Sequence, residues 1–140
     1  MQLRIFKASA AMPDEKVLLS IIEIGGYPNF SSLYQAKGFR VETADSMRKA
    51  VKMLKKTRPA LIVAEFNFQS DFRDRTSSLE TLMATVQRMP DTRVIVFYEQ
   101  EQWTQLQRLL NVFPVHATLS FPIDEQQLSE TLDRLMQEAA

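Results

Sequence analysis

Five compact apolar runs alternate with segments of helical periodicity along most of this sequence. The runs cover 17–22, 39–43, 61–66, 93–98 and 117–121. Three of them are nearly continuous Val, Ile, Leu and Ala, a composition typical of strands that are covered on both faces. Strands that alternate with helices of this length predict parallel pairing with helices on both sides of one sheet. The sequence therefore predicts a small doubly wound α/β fold with a five-stranded parallel sheet.

Residues with strong helix-capping preferences mark where the helical segments begin. The predicted caps are Asn29, Asp45, a capping box formed by Ser77 and Glu80, and Asp124. Their side-chain oxygens suit the free N–H groups of a first helical turn. Each cap follows an apolar run and precedes a helical period, so the caps support the same division of the chain.

The first 15 residues differ from the rest of the chain. Residues 1–8 alternate between apolar and polar side chains, the pattern of an extra strand, and 9–15 form a linker broken by Pro13. The remaining length suits one domain with its own core. We therefore predict an N-terminal extension over 1–15 and a single α/β domain over 16–140.

Charge and composition exclude several classes of protein. Seventeen basic and seventeen acidic residues give a net charge of zero, unlike a protein whose main role is to bind the nucleic-acid backbone. There is no cysteine, hence no disulfide, thiolate metal site or cysteine nucleophile. No apolar run approaches the roughly 20 residues that span a bilayer, and the N-terminus lacks the apolar stretch of a secretory signal. We expect a cytoplasmic protein with no membrane partner and no direct nucleic-acid partner.

In an open α/β sheet, ligands bind beyond the carboxyl ends of the strands. Four segments end at this edge: KVLLSIIE (16–23), PALIVAEFNF (59–68), TRVIVFYE (92–99) and ATLSFPID (117–124). Their order and spacing resemble the receiver domains of two-component response regulators, and the resemblance extends from about Lys16 to Met136. It implies a flavodoxin-like fold with strand order 2-1-3-4-5 and a role in signalling.

The resemblance also implies where the reactive positions of receiver domains fall. The acidic metal-binding pair falls on Ile21 and Ile22, the phosphoacceptor aspartate on Glu65, the Thr or Ser on Tyr98, and the lysine on Phe121. All five positions carry a different residue here. Magnesium takes oxygen ligands, usually including carboxylates, and the two isoleucines supply none. The sequence thus predicts a degenerate receiver domain with no metal, cofactor or catalytic residue, packed around one glutamate.

Several interpretations of the acidic residues at this edge stay open. Three interpretations of Glu65 remain: a mimic of a phosphorylated aspartate, a strand-end glutamate that reaches water or a backbone donor, and a general base without a visible nucleophile. Glu23 is either a substitute metal ligand beside Glu65 or a solvated residue in the loop that leads to Gly25 and Gly26. His116 has no second histidine or cysteine to bind a metal with it, so we interpret it as a loop residue.

The function that these observations favour is a non-phosphorylatable signalling module, not an enzyme, that acts by protein–protein interaction. Its partner is a signalling protein, an effector or a second copy of the chain. In receiver domains the fourth and fifth helices and the last strand form such contacts, which implies an interface at Trp103, Leu110, Phe113 and Phe121. The alternative is a small-molecule sensor whose ligand lies at the carboxyl edge of the sheet between Tyr98 and Phe121.

Overall fold

The structure is a computed structural model that describes residues 16–66 and 79–139. In chain order its elements are β1 (Lys16–Ile21), α1 (Ser31–Ala36), β2 (Phe39–Ala44), α2 (Met47–Met53), β3 (Leu61–Glu65), α3 (Leu79–Val86), β4 (Arg93–Tyr98), α4 (Trp103–Val112), β5 (Ala117–Ser120) and α5 (Glu125–Ala139). The strands form one parallel sheet in the order β2-β1-β3-β4-β5. The predicted fold class and strand order are confirmed, while the predicted N-terminal extension and the capping residue Ser77 lie outside the described residues.

Both faces of the sheet are covered by helices, which explains why its three central strands, β1, β3 and β4, are buried at almost every position. Leu18 and Val63 point to the layer formed by α1 and α5, whereas their neighbours Leu19 and Ala64 point to α2, α3 and α4. This alternation follows from the two-residue period of a strand. The two layers give two hydrophobic cores, one on each side of the sheet.

The start of α2 differs from the sequence prediction by one residue. Ser46 is the N-cap, with its hydroxyl accepting a hydrogen bond from the N–H of Lys49 at 3.1 Å. The predicted cap, Asp45, instead forms an exposed ion pair with the Lys49 ammonium at 3.1 Å. The backbone of Ser46 is extended, with φ −157° and ψ 157°, which is the conformation that aims an N-cap side chain at the first turn.

Of the other two predicted caps within the described ranges, Asp124 is confirmed, whereas the N-cap of α1 is Phe30 and the predicted cap, Asn29, lies one residue before it. Asn29 accepts from the N–H of Ser31 at 2.8 Å, and Asp124 accepts from the N–H of Gln126 at 2.8 Å. Each carboxyl or amide oxygen satisfies an N–H group that has no partner inside its helix. Among the described helices, none combines the length and the apolar character needed to cross a bilayer.

The strand ends bring together the positions that the sequence singled out. Ile21 is the last residue of β1 and pairs with Ala44, while Glu65 is the last residue of β3 and pairs with Phe97. Tyr98 ends β4 and pairs with Ser120, directly before Phe121. All of these residues lie at the carboxyl edge of the sheet, where the loops after β1, β3, β4 and β5 begin.

Candidate functional site

The carboxylate of Glu65 is enclosed by the loop that follows β1. Its Oε1 accepts from the backbone N–H groups of Glu23 and Ile24 at 3.1 and 2.9 Å. Its Oε2 accepts from the N–H of Gly25 at 3.3 Å and from the Tyr27 hydroxyl at 2.6 Å. The residue is only 3% exposed. Because a buried carboxylate is costly unless its oxygens are hydrogen-bonded, these donors explain how Glu65 is accommodated at the sheet edge.

Two glycines give the loop the shape that these hydrogen bonds need. Gly25 and Gly26 have φ angles of +71° and +82°, a left-handed conformation that is strained for residues with a side chain. Consecutive N–H groups next to such a turn point to the same side of the chain and form a concavity for an anion. The N–H of Ile22 still bonds to the Ala44 carbonyl at 2.9 Å, so the loop leaves the sheet one residue after β1 ends.

The hydroxyl of Tyr27 is held in place by the packing of its ring. The ring centroid lies 5.2 Å from that of Phe121, 5.7 Å from Phe97 and 6.3 Å from Phe30. Burial, together with the hydrogen bond to Glu65, raises the pKa of Tyr27 far above its usual range. The hydroxyl therefore stays protonated and acts as a hydrogen-bond donor to Glu65.

Glu23 links the Glu65 site to α2. Its backbone N–H donates to Glu65, while its own carboxylate accepts from the N–H of Met47, the first residue of α2, at 3.2 Å. Desolvation raises the pKa of Glu23 and the nearby Glu65 charge raises it further, against the opposing effect of the Met47 N–H. In the described ranges, no group of three or more His, Cys, Asp or Glu side chains is placed to hold a metal ion.

The other positions highlighted by the sequence do not form one group around Glu65. Ile21 is 1% exposed and packs in the core beneath α2, α3 and α4, and Ile22 is half-buried. Tyr98 packs on Trp103 on that same side of the sheet, at 5.2 Å between centroids. Phe121 packs on the opposite side, beside Tyr27. The structure therefore brings Phe121 to the Glu65 site and keeps Tyr98 in the other layer.

Sequence reasoning missed the groups that bind Glu65. Among the interpretations of this residue, the structure shows a strand-end glutamate bonded to backbone donors and to one hydroxyl. The donors come from Glu23, Ile24, Gly25 and Tyr27, which are 38 to 42 residues away in the chain. The only sequence signal near them is the pair Gly25 and Gly26 in the loop after the first strand, which does not indicate what the loop binds.

His116 holds the start of β5 against β4. Its backbone N–H donates to the Val94 carbonyl at 3.0 Å, and the Nδ1 atom of its imidazole ring accepts from the Val94 backbone N–H, also at 3.0 Å. Because Nδ1 must be unprotonated to accept, the neutral imidazole is the form that this contact requires. Desolvation and the Arg93 charge lower the pKa of His116, which favours the same form. The side chain thus has a structural role that its interpretation as a loop residue did not include.

Three residues of the predicted interface lie on and next to α4, whereas the fourth, Phe121, packs on the opposite side of the sheet. Trp103, Leu110 and Phe113 are partly buried and pack against the core that α2, α3 and α4 cover. Val112 is on the same helix and 66% of it is exposed. At about 100° per residue, Val112 projects from the side of α4 opposite Trp103 and Leu110, so the helix presents an aliphatic side chain to solvent on the face turned away from the core.

Comparison with known proteins identifies the fold. No protein-family model matches the chain, and no curated protein matches its sequence. A response regulator receiver domain from Clostridium thermocellum is 15% identical with a TM-score of 0.69, over 88% of this chain and 95% of that one. The chemotaxis response regulator CheY4 of Vibrio cholerae is 19% identical with a TM-score of 0.67, over 86% and 98% of the two chains.

A third similar structure comes from a family of redox sensors in the streptococci that evolved from two-component response regulators. It is 17% identical with a TM-score of 0.71, and the match covers 88% of this chain and 52% of that chain. At these identities the likeness concerns the fold. The chain has the fold of a response regulator receiver domain, as the sequence predicted.

Proposed function

We propose that this domain is a cytoplasmic, non-enzymatic signalling module that is not phosphorylated and acts through contact with another protein. The observation that carries this proposal is the state of Glu65, which is 3% exposed and accepts hydrogen bonds from four donors. A phosphoacceptor must present a free oxygen to its phosphodonor. Both oxygens of Glu65 are already bound, and the loop after β1 covers them.

The surrounding residues also lack the charges that phosphoryl transfer needs. That reaction depends on positioning and on neutralisation of negative charge by a metal ion and by cationic side chains. Ile21 and Ile22 offer no oxygen ligand from their side chains, and Phe121 offers no positive charge. No ion pair joins Glu65 to a lysine or arginine in ranges 16–66 and 79–139. These substitutions support a site that is closed and unreactive.

The test is a phosphorylation assay on the whole chain. The protein is incubated with acetyl phosphate and magnesium, and its intact mass is measured beside an active receiver domain treated in the same way. We expect the mass of this chain to stay unchanged. Magnesium binding to the same protein is measured by isothermal titration calorimetry. A phosphoryl adduct on Glu65, or micromolar magnesium binding, would overturn the proposal.

We further propose that the contact surface is formed by α4, α5 and β5, next to Phe121, and that it receives a signalling protein, an effector or a second copy. Val112 supports this choice because it is one of two large aliphatic side chains in the described ranges that are about two-thirds exposed. Its side chain faces away from the core, on the side of α4 that a partner can reach. The zero net charge also gives little repulsion between copies.

A charge placed on this surface tests its role. We expect Val112→Asp to weaken self-association in analytical ultracentrifugation, or to abolish recovery of the partner captured by the wild-type protein. Thr104→Asp is the matched control, since Thr104 is an exposed polar residue of the same helix. If Val112→Asp leaves both the oligomeric state and the captured partner unchanged, the surface on α4 is not the interface.

A further inference from the structure

The hydrogen-bond donors around Glu65 lie on a different segment of the chain from the carboxylate that they bind. We call the backbone N–H groups of Glu23, Ile24 and Gly25 together with the Tyr27 hydroxyl the carboxylate nest. All four donors belong to one short loop, whose shape is fixed by two left-handed glycines and by the packed ring of Tyr27. The ligand, Glu65, comes from a different strand. Receptor and ligand are therefore separate pieces of the structure.

The chemistry of the nest selects a carboxylate. Its four donors are divided equally between two oxygens, two on Oε1 and two on Oε2, at distances from 2.6 to 3.3 Å. Hydrogen bonds of this kind to a charged acceptor are stronger than those between neutral groups. A phosphate group brings up to two charges and a third acceptor oxygen, whereas the nest has no donor left for that oxygen. No lysine or arginine of the described residues pairs with Glu65 to balance a second charge.

We propose that the loop after β1 is a binding site for small carboxylates, and that Glu65 is its tethered, permanent ligand. This goes beyond the proposed function, because the domain would still be an unphosphorylated module if the loop bound no free anion. It also assigns Glu65 a positioning role. Glu23 donates to Glu65 and caps α2 through Met47, so the tethered ligand fixes both the loop and the first turn of α2.

Replacement of the tethered ligand by a free one tests the site. Glu65→Ala removes a CH₂–COO⁻ unit, and acetate has nearly the shape of that unit. We expect acetate to raise the unfolding temperature of Glu65→Ala in a saturable manner, beyond the effect of equal concentrations of sodium chloride, because a ligand that binds the folded state stabilises it. The wild-type protein should respond to acetate and chloride alike, since its site is filled.

Two further measurements identify the donors and the class of ligand. In the double variant Glu65→Ala/Tyr27→Phe, the apparent affinity for acetate should fall roughly tenfold, because one hydrogen bond to a charged group contributes about 1.5 kcal/mol at the lower end of its range. Inorganic phosphate should stabilise Glu65→Ala less than acetate does. Equal stabilisation by phosphate, or no response to acetate beyond that to chloride, overturns the proposal.

A measurement on the wild-type protein keeps the proposal testable if Glu65→Ala fails to fold. The amide hydrogens of Ile24 and Gly25 should exchange with solvent slowly in the wild type, although Ile24 is 65% exposed. In Glu65→Gln, which keeps the shape and removes the charge, exchange at these two amides should be several times faster, while the core amide of Ile62 stays unchanged. Rapid exchange in the wild type, or identical exchange in the two proteins, contradicts a nest that binds a carboxylate.

Discussion

The shortest hydrogen bond to Glu65 comes from the hydroxyl group of Tyr27, and Tyr27→Phe removes that group alone. The bond is 2.6 Å long and its acceptor is a carboxylate, the type of bond that contributes about 1.5–3 kcal/mol. The phenyl ring retains its contacts with Phe97 and Phe121, so packing should change little. Because the loop borders solvent, we expect the lower part of the range, a loss of about 1.5–2 kcal/mol in the free energy of unfolding.

This loss should be visible in both chemical and thermal unfolding. For a domain of this size, each kcal/mol corresponds to about 3–4 °C in unfolding temperature, so the expected decrease is about 5–8 °C. Circular dichroism reports on the helices, and Trp103 fluorescence reports on the layer that contains α4. The matched control is Tyr34→Phe. Tyr34 is buried and its hydroxyl has no hydrogen-bond partner among the described residues, so its removal should cost less than about 0.5 kcal/mol.

A double-mutant cycle distinguishes the specific bond from a general effect on the loop. Tyr27→Phe is combined with Glu65→Gln, and the coupling between the two changes should be about 1 kcal/mol or more, since the residues are in direct contact. Additive effects, or a loss in Tyr27→Phe no larger than in Tyr34→Phe, would refute the view that Tyr27 stabilises the Glu65 carboxylate.

Three further predictions concern other parts of the structure. Because the pKa of His116 is lowered in the folded protein, protonation of its imidazole favours the unfolded chain, and the protein should become less stable as the pH falls below 6.5. Urea unfolding at several pH values should show this dependence in the wild type and not in His116→Phe. Ser46→Ala should lower the free energy of unfolding by about 1 kcal/mol, and Asp45→Ala by much less; equal losses contradict the assignment of Ser46 as the cap. Since its pKa is raised above 4.5, Glu23 contributes stability at low pH that is lost as the pH rises through its folded pKa, and urea unfolding of Glu23→Gln should lack this component.

The fold was predictable because the apolar runs, the helical periods and the capping residues all indicate the same architecture. Strands buried on both faces leave nearly continuous apolar runs, and the caps at Asn29 and Asp124 fall between these runs and the helical periods. At α1 the N-cap is Phe30, one residue after the predicted Asn29, and at α2 the error involved two adjacent residues, Asp45 and Ser46, that both have capping side chains. Backbone conformation decides between them, since the extended Ser46 aims its hydroxyl at Lys49. That conformation depends on how the chain leaves β2, which side-chain preferences alone do not specify.

The site was predictable only in part, because most of the groups that bind Glu65 belong to the backbone. Strand ends identify Glu65 because its position follows from the run of apolar residues before it. Its donors are mainly backbone N–H groups, which every residue except proline possesses, so no side-chain pattern distinguishes them. Tyr27 lies between two elements, where periodicity carries no information. Only the three-dimensional loop brings these donors to a carboxylate about 40 residues away.

The length of the Glu65 side chain is itself part of the site, and Glu65→Asp tests this directly. The substitution places at the end of β3 the residue type that receiver domains use as phosphoacceptor. It also withdraws the carboxylate by one methylene, about 1.5 Å. Donors that are now 2.6–3.3 Å away would then lie beyond the distance at which a hydrogen bond forms. We expect a loss of about 2 kcal/mol or more in the free energy of unfolding.

The same variant separates side-chain length from reactivity. Glu65→Asp retains the charge, so a loss of stability in urea unfolding, together with faster exchange of the Ile24 amide, must come from the shorter reach. Acetyl phosphate and magnesium should still leave its mass unchanged, because Ile21 and Ile22 continue to provide no metal ligand. A variant as stable as the wild type would show that the nest does not depend on the longer side chain. A phosphorylated variant would show that the loop over Glu65, and not the missing metal ligands, prevents the reaction.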